Sequence, residues 1–194
     1  MSRASRHACR GTSFACLRRW SLLDRLTATD TPPQHAMTFD AGPIVLTGRP
    51  APAPDGSYVG YGPRRFILDP LLAAAAIEAV ATFWVVGADG KHSGIAAVIG
   101  AKAYLARPAT TCVYYTFFQD FDPPHTRIFV REGQFAVALP TNGGLTNLAI
   151  MWPASEFARV RGDIEAAFNA AAAQIPWIAA RITRAKRVER FVGR

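Results

Sequence analysis

The stretch GQFAVALPTNGGLTNLAIMWP, Gly133 to Pro153, reads as two strands, Gln134 to Leu139 and Leu145 to Trp152, joined by a tight turn. Phe135, Val137 and Leu139 alternate with Ala136 and Ala138, and Leu148, Ile150 and Trp152 alternate with Ala149 and Met151. A period of two sends successive side chains to opposite faces, so one face of each strand is more strongly apolar than the other. The Asn-Gly pair between the strands accepts the positive backbone angles of a hairpin turn. Two preceding runs, Cys112 to Phe118 and Arg127 to Val130, are also rich in β-favouring residues and bounded by turn signals. Together the four runs predict an antiparallel sheet. After it, Phe157, Val160, Ile164 and Phe168 recur at helical spacing up to Pro176, predicting a helix that covers one sheet face.

Upstream the grammar differs. Residues 31–63 are rich in proline and glycine, so short extended pieces such as Ile44 to Leu46 sit between turns. From Arg64 to Val80 the residues Ile67, Leu68, Leu71, Leu72, Ala75 and Ala79 form a stripe on an Ala-rich helix, with Pro70 expected in its first turn. Phe83 to Val86 is a short strand-like run. The apolar stretch from Leu71 to Ala88 contains Glu78 and many alanines, and reads as a buried helix followed by a strand, not a membrane span.

That strand runs into VVGADGKHSGIAAVIGA, Val85 to Ala101. A strand end, a Gly-Ala-Asp-Gly turn without bulky side chains and a helix start let backbone N–H groups approach a phosphate, with Asp89 free to accept from a ribose. The same residues also suit an ordinary strand-turn-helix in which Asp89 caps the helix.

The 194 residues allow one domain with a real core, and the hydrophobic half of the chain argues against wholesale disorder. The formal charge of +8 comes mainly from arginines near the two ends, Arg3 to Arg25 and Arg181 to Arg194. The C-terminal set is interrupted by Ile182, Val188, Phe191 and Val192, the pattern of a half-buried element with a solvated arginine face. A nucleic-acid partner is not expected, because no helix-turn-helix, zinc-finger or RNP-like pattern accompanies the charge. Cys9, Cys16 and Cys112 and the four scattered histidines give neither a disulfide framework nor a metal site. The Arg- and Ser-rich start has transit-peptide composition without a secretory apolar core, and a misplaced or remodelled start is the expected explanation; the expected location is cytoplasmic.

VVGADGKHS resembles the Asp-Gly fingerprint of class A FAD-dependent monooxygenases, the aromatic-hydroxylase type. The flanks are similar in order: WSLLDRL, then GPRRFILDPLLAAAAIEA with Arg65, Leu68 and Leu72, then CVYYTFFQDF, the hairpin quoted above, the helix from Ser155 and RVERFVG. The resemblance covers most of residues 11–193. It implies an α/β fold: a partial FAD/NAD(P)-binding, aromatic-hydroxylase-like fold whose antiparallel substrate-domain sheet is covered by a helix, the first Rossmann unit being missing. The implied divisions are an irregular N-terminal segment 1–30, a partial FAD-binding region 31–110 and a substrate-domain-like region 111–194. Implied cofactor contacts are Arg65, Gly87, Asp89, Gly90 and Ser93, with FAD as cofactor and NADH or NADPH as reductant; no catalytic residue is implied. Tyr114, Tyr115, Phe117, Phe135 and Trp152 would either line a pocket for an aromatic or lipid-like substrate or serve as plain core.

Departures from the pattern shape the functional expectation. The family opens with a strand, a G-x-G-x-x-G turn and a helix, which this sequence lacks, and the short passage from Glu78 to Val85 implies an internal deletion. Gly94 to Ala97 stand where the family commonly has an arginine, and the chain stops before the family's Gly-Asp-Ala segment. Loss of two or three charge-assisted contacts weakens FAD binding on the order of a thousandfold. The expectation is therefore an oxidoreductase of monooxygenase type, truncated and weakly active or inactive alone. The alternative is a non-catalytic remnant or interaction module that does not bind FAD, with apolar surface covered by a second copy or a complementing polypeptide.

Overall fold

The structure, a computed structural model, describes residues 16–49, 51–52, 56–79, 93–102 and 106–193. Its centre is the predicted sheet. Strands β5 (Thr111–Gln119), β6 (Thr126–Arg131), β7 (Gln134–Thr141) and β8 (Leu145–Pro153) pair antiparallel, with Phe135 opposite Met151 and Tyr114 opposite Ile150. The β7–β8 turn has positive φ at Gly143 (72°) and Gly144 (63°), angles that glycine adopts without steric cost.

Strands from residues 31–110 enlarge this sheet. β1 (Pro33–Gln34) and β4 (Gly60–Tyr61) pair with each other, while β2 (Met37–Asp40) and β3 (Val45–Gly48) form a hairpin. β2 lies parallel against β6, with Thr38 beside Arg127. At the far side the C-terminal strands β9 (Lys186–Arg187) and β10 (Val192–Gly193) both pair with β5. The order across is β10-β5-β8-β7-β6-β2-β3, so pieces of the expected 31–110 and 111–194 regions share one sheet.

Asp40 fastens the parallel junction. Its carboxylate accepts from Arg127 at 3.0 Å, Arg131 at 2.8 Å and the Gly42 N–H at 3.1 Å, and Arg131 also donates to the Asp40 carbonyl. Gln34 Oε1 accepts from both the N–H and hydroxyl of Thr126, and Thr38 bonds His125 and Thr47. Apart from Arg127 Nε, which is buried without a partner, these side chains are paired across a junction that no local sequence pattern announces.

One sheet face is covered by helices. The single helix expected after Ser155 is a short 3-10 turn followed by α4 (Phe157–Gly162) and α5 (Ile164–Ala173) when numbered after α1 (Leu23–Thr27), α2 (Arg65–Ala79) and α3 (Gly94–Val98). Gly162 ends α4, and Asp163 leaves the helical region (φ −146°, ψ 91°) so that its carboxylate can cap α5 by accepting from Ala166 N–H at 2.9 Å. α6 (Pro176–Ile182) begins with Pro176 in its first turn, where the missing N–H costs nothing. Val160, Phe168, Ile175 and Ile178 from these helices are fully buried against Phe129, Leu148 and Ile150.

The reading of residues 71–88 as a buried helix and strand changes in part. α2 buries only Leu68, while Leu71, Leu72 and Ala75 lie half-buried against Leu17, Leu22 and Leu26, because α1 and the short helical piece before it cover one side only. Pro70 falls in the second turn, so the Phe66 carbonyl lacks its usual helical donor. The expected strand Phe83 to Val86 lies outside the described residues. No helix among the described residues is long and apolar enough to cross a membrane, and none of their His, Cys, Asp and Glu side chains cluster as a metal site.

Candidate functional site

The face of the sheet away from α4–α6 carries the candidate site. Strand register sorts the aromatic residues that the sequence left undivided. Cys112, Tyr114, Phe118, Leu148, Ile150 and Trp152 belong to the helix-covered core, whereas Tyr115, Phe117 and Ala149 form a separate cluster on the opposite face. Phe135, Val137 and Leu139 pair with Met151, Ala149 and Asn147, so the larger β7 side chains share that opposite face and are only half-buried. Tyr114 and Trp152 are therefore core, and Tyr115, Phe117 and Phe135 are the aromatic residues on the candidate face.

The segment before α2 crosses this face. A Cβ at Gly62 would sit 3.0 Å from Leu139, so the close approach there leaves little room for a side chain. Arg64 holds its guanidinium between the rings of Phe117 (4.2 Å) and Phe66 (4.4 Å) and pairs with Glu189. Between Phe117 and Leu139 in the register lies Asn147, whose amide nitrogen is buried and makes no hydrogen bond. An unpaired buried amide is costly in a core and is the kind of group a ligand acceptor satisfies.

The β7–β8 turn ties the pieces together. Asn142 accepts from the Arg64 N–H at 2.9 Å and donates to Asp30 (2.8 Å) and Thr31 (2.6 Å), while the Thr141 hydroxyl donates to the Gly62 carbonyl at 2.7 Å. The Asn142 bond and the Gly143 N–H hold the Asp30 carboxyl below the usual carboxylate range. Asn142→Ala leaves these partners unmatched in a buried turn, and the expected loss is about 2 kcal/mol in urea unfolding. Asn142→Asp keeps an acceptor for Arg64 but brings a second negative charge to Asp30, so it should be no more stable than Asn142→Ala at neutral pH.

Of the residues expected to contact a cofactor, Arg65 begins α2 and bonds Asp69 at 2.5 Å, and Ser93 caps α3 by accepting from Ala96 N–H at 2.8 Å. Gly87, Asp89 and Gly90 lie outside the described residues. Sequence reasoning missed Arg64, Glu189, Asn142 and Asn147. The Asn-Gly turn marked Asn142 as a hairpin residue, but nothing local marks the others, whose roles come from elements distant in the chain.

The backbone has the fold of FAD-dependent monooxygenases and halogenases, in part. The solved structures it matches include CmlS, a flavin-dependent halogenase, at TM-score 0.80 and 17% identity over 100% of this chain and 42% of that one. The myxobacterial chondrochloren halogenase CndH matches at TM-score 0.77 and 15% identity, over 100% and 55%. A probable FAD-dependent monooxygenase from Pseudomonas aeruginosa, pqsL, matches at 0.73 and 13%, over 100% and 64%. The chain thus spans between about two fifths and two thirds of the length of these proteins. No family model and no curated protein matches it.

Proposed function

We propose that this chain is a flavoprotein oxidoreductase of the monooxygenase type, weakly active or inactive alone, with weakly held FAD as cofactor, NADH or NADPH as reductant and a small aromatic or lipid-like substrate over the sheet face away from α4–α6. The observation that carries this reading is the likeness of fold along the whole chain, joined to an apolar sheet face away from the helices that holds buried Tyr115 and Phe117 and half-buried Phe135 with an unpaired buried amide at Asn147. On this reading residues 31–110 supply cofactor contacts and 111–194 the substrate sheet.

The donor chemistry fits a dinucleotide. The Ser93 hydroxyl accepts from Ala96, which leaves its proton to donate to a phosphate or ribose oxygen. Arg65, at the start of α2, is already paired through Nε with Asp69 and would reach a dinucleotide with its terminal N–H groups, and Gly87, Asp89 and Gly90 complete the set by resemblance. Bound FAD supplies the redox chemistry. The chain's own residues bind, orient and exclude water: Arg64, held by Glu189, fixes the segment that crosses the substrate face, and Asn147 offers a donor to a substrate oxygen.

A second reading, an interaction module without FAD, is favoured by the apolar side chains that α2 and α3 leave in solvent, with Ile77 79% and Val98 87% exposed. Flavin binding separates the two. The purified chain should bind added FAD only weakly and lose most of it on desalting, and Asp89→Ala should weaken that binding at least about tenfold further by fluorescence quenching. A chain that binds no flavin even at high added concentration favours the second reading.

A further inference from the structure

We propose that the cavity between the β6–β7 turn, the end of β8 and helices α4 and α5 binds a small organic amine in its ammonium form. The cavity measures about 290 Å³ and lies on the helix-covered side of the sheet, away from the candidate site described above. It does not depend on the flavoprotein reading. Small-molecule sites run upward from about 300 Å³, so there is room for a small ligand only. Ala167, Ala170 and Ala171 of α5 make the space, because side chains that end at Cβ stop short of Trp152 and Pro153 on the opposite wall.

Gln134 gives this gap a chemical preference. The residue is 8% exposed and lines the cavity from the first position of β7. Its Nε2 donates to the Ala171 carbonyl at 3.4 Å and to Gln174 Oε1 at 3.1 Å. A carbonyl can only accept, so the Ala171 bond fixes which end of the Gln134 amide is the nitrogen. The other end, Oε1, accepts no hydrogen bond from any described residue. A nearly buried acceptor beside a cavity costs free energy unless whatever fills the cavity supplies a donor.

The charges around the cavity decide which donor. Glu132 and Glu156 both line it, and Glu132 enters no ion pair among the described residues. Arg159 is the one cation among the described lining residues, and its Nε is already committed to Glu156 at 2.6 Å. α5 ends at the cavity with Ala171 and Gln174 and carries no basic side chain in its last turn, so the partial negative charge of that helix end is also unanswered. In a chain of formal charge +8, this cavity therefore has a negative lining that favours a cation and opposes an anion. Trp152, Pro153 and the alanines give the cation an apolar neighbour, which suits an organic body attached to the ammonium group. A bare metal ion is not selected, because the described His, Cys, Asp and Glu side chains form no cluster able to hold one.

Titration of the full chain with benzylammonium, followed by nuclear magnetic resonance of the side-chain amides, tests this. Benzoate and benzyl alcohol serve as anionic and neutral counterparts of similar size. Benzylammonium should shift the Gln134 and Gln174 amides, leave the Asn147 amide on the other sheet face in place, and bind at least about tenfold more tightly than either counterpart. Glu132→Gln, at an exposed position, should weaken that binding at least about fivefold. Ala170→Leu, which fills the cavity from an exposed helical position, should abolish it, with circular dichroism melts verifying that both variants fold. No shift at Gln134 with about 10 mM benzylammonium, enough to fill most of a ~1 mM site, overturns the proposal. Benzoate binding as tightly, shifts at Asn147 without Gln134, or binding indifferent to both substitutions overturns it as well.

Discussion

Asp40→Asn should lower the unfolding free energy at pH 7 by about 3 kcal/mol, or the melting temperature by about 6–12 °C for a chain of this size. The carboxylate is buried and answers two guanidinium groups, Arg127 and Arg131, that are themselves largely withdrawn from water. Arg127 also stacks near Trp177 and Phe129, at 4.9 and 5.4 Å from the ring centres, so it cannot turn to solvent without opening the helix-covered core. Removing the negative charge leaves those cations facing each other across the β2–β6 junction. Burial alone would push the Asp40 carboxyl up, but hydrogen bonds from Arg127, Arg131 and Gly42, with the charge of Arg131, outweigh it and hold the group below its ordinary value.

The pH dependence follows from that direction. A carboxyl lowered in the folded state stabilises the fold above its unfolded value, near 4, and the contribution is lost as pH falls through the folded value. Wild type and Asp40→Asn should therefore differ most near neutrality and converge in acid, where a protonated Asp40 resembles asparagine. Melting curves at pH 7 and pH 3 check this. An equal difference at both values would mean that the ion pairs contribute little and that the substitution acts through packing.

Phe168→Ala should have the larger effect, about 4 kcal/mol. Its ring is fully buried on α5, packs against Phe191 with centroids 4.9 Å apart, and belongs to the cluster with Phe129, Leu148 and Ile150. Deleting the ring removes the transfer free energy and leaves a cavity between helix and sheet that rigid strands cannot collapse to fill. Phe191 lies on the segment between β9 and β10, so the loss should also loosen the C-terminal strands from β5. Urea unfolding measures the energy. Hydrogen exchange at Val192 and Gly193 should quicken before global unfolding, and protection unchanged there would show that the C-terminal strands are held by their ladder bonds to β5 without help from the Phe168–Phe191 contact.

Much of the fold was legible in residue order. The strands β5 to β8 lie within two residues of their expected limits, because alternation and the Asn-Gly turn are local signals that tertiary contacts reinforce. The helical stripe from Phe157 to Phe168 was also legible, but the break at Gly162–Asp163 was hidden, since the apolar spacing continues across it. The candidate site was less legible. Arg64 and Arg65 are adjacent and chemically alike, yet one lies between two aromatic rings over the sheet and the other pairs with Asp69 along its own helix.

The sequence by itself determined the antiparallel sheet, its helical cover and the likeness to flavin monooxygenases, because each rests on side-chain period or on short contiguous motifs. Only the tertiary structure decided that β2 joins β6 in parallel, that Tyr115 and Phe117 pack on the sheet face away from the helices while Tyr114 and Trp152 pack beneath them, and that Asp30, Arg64 and Asn142 meet at one turn. These outcomes depend on strand register and on contacts between residues far apart in the chain. A shift of one residue in register exchanges the two faces of a strand without altering its composition.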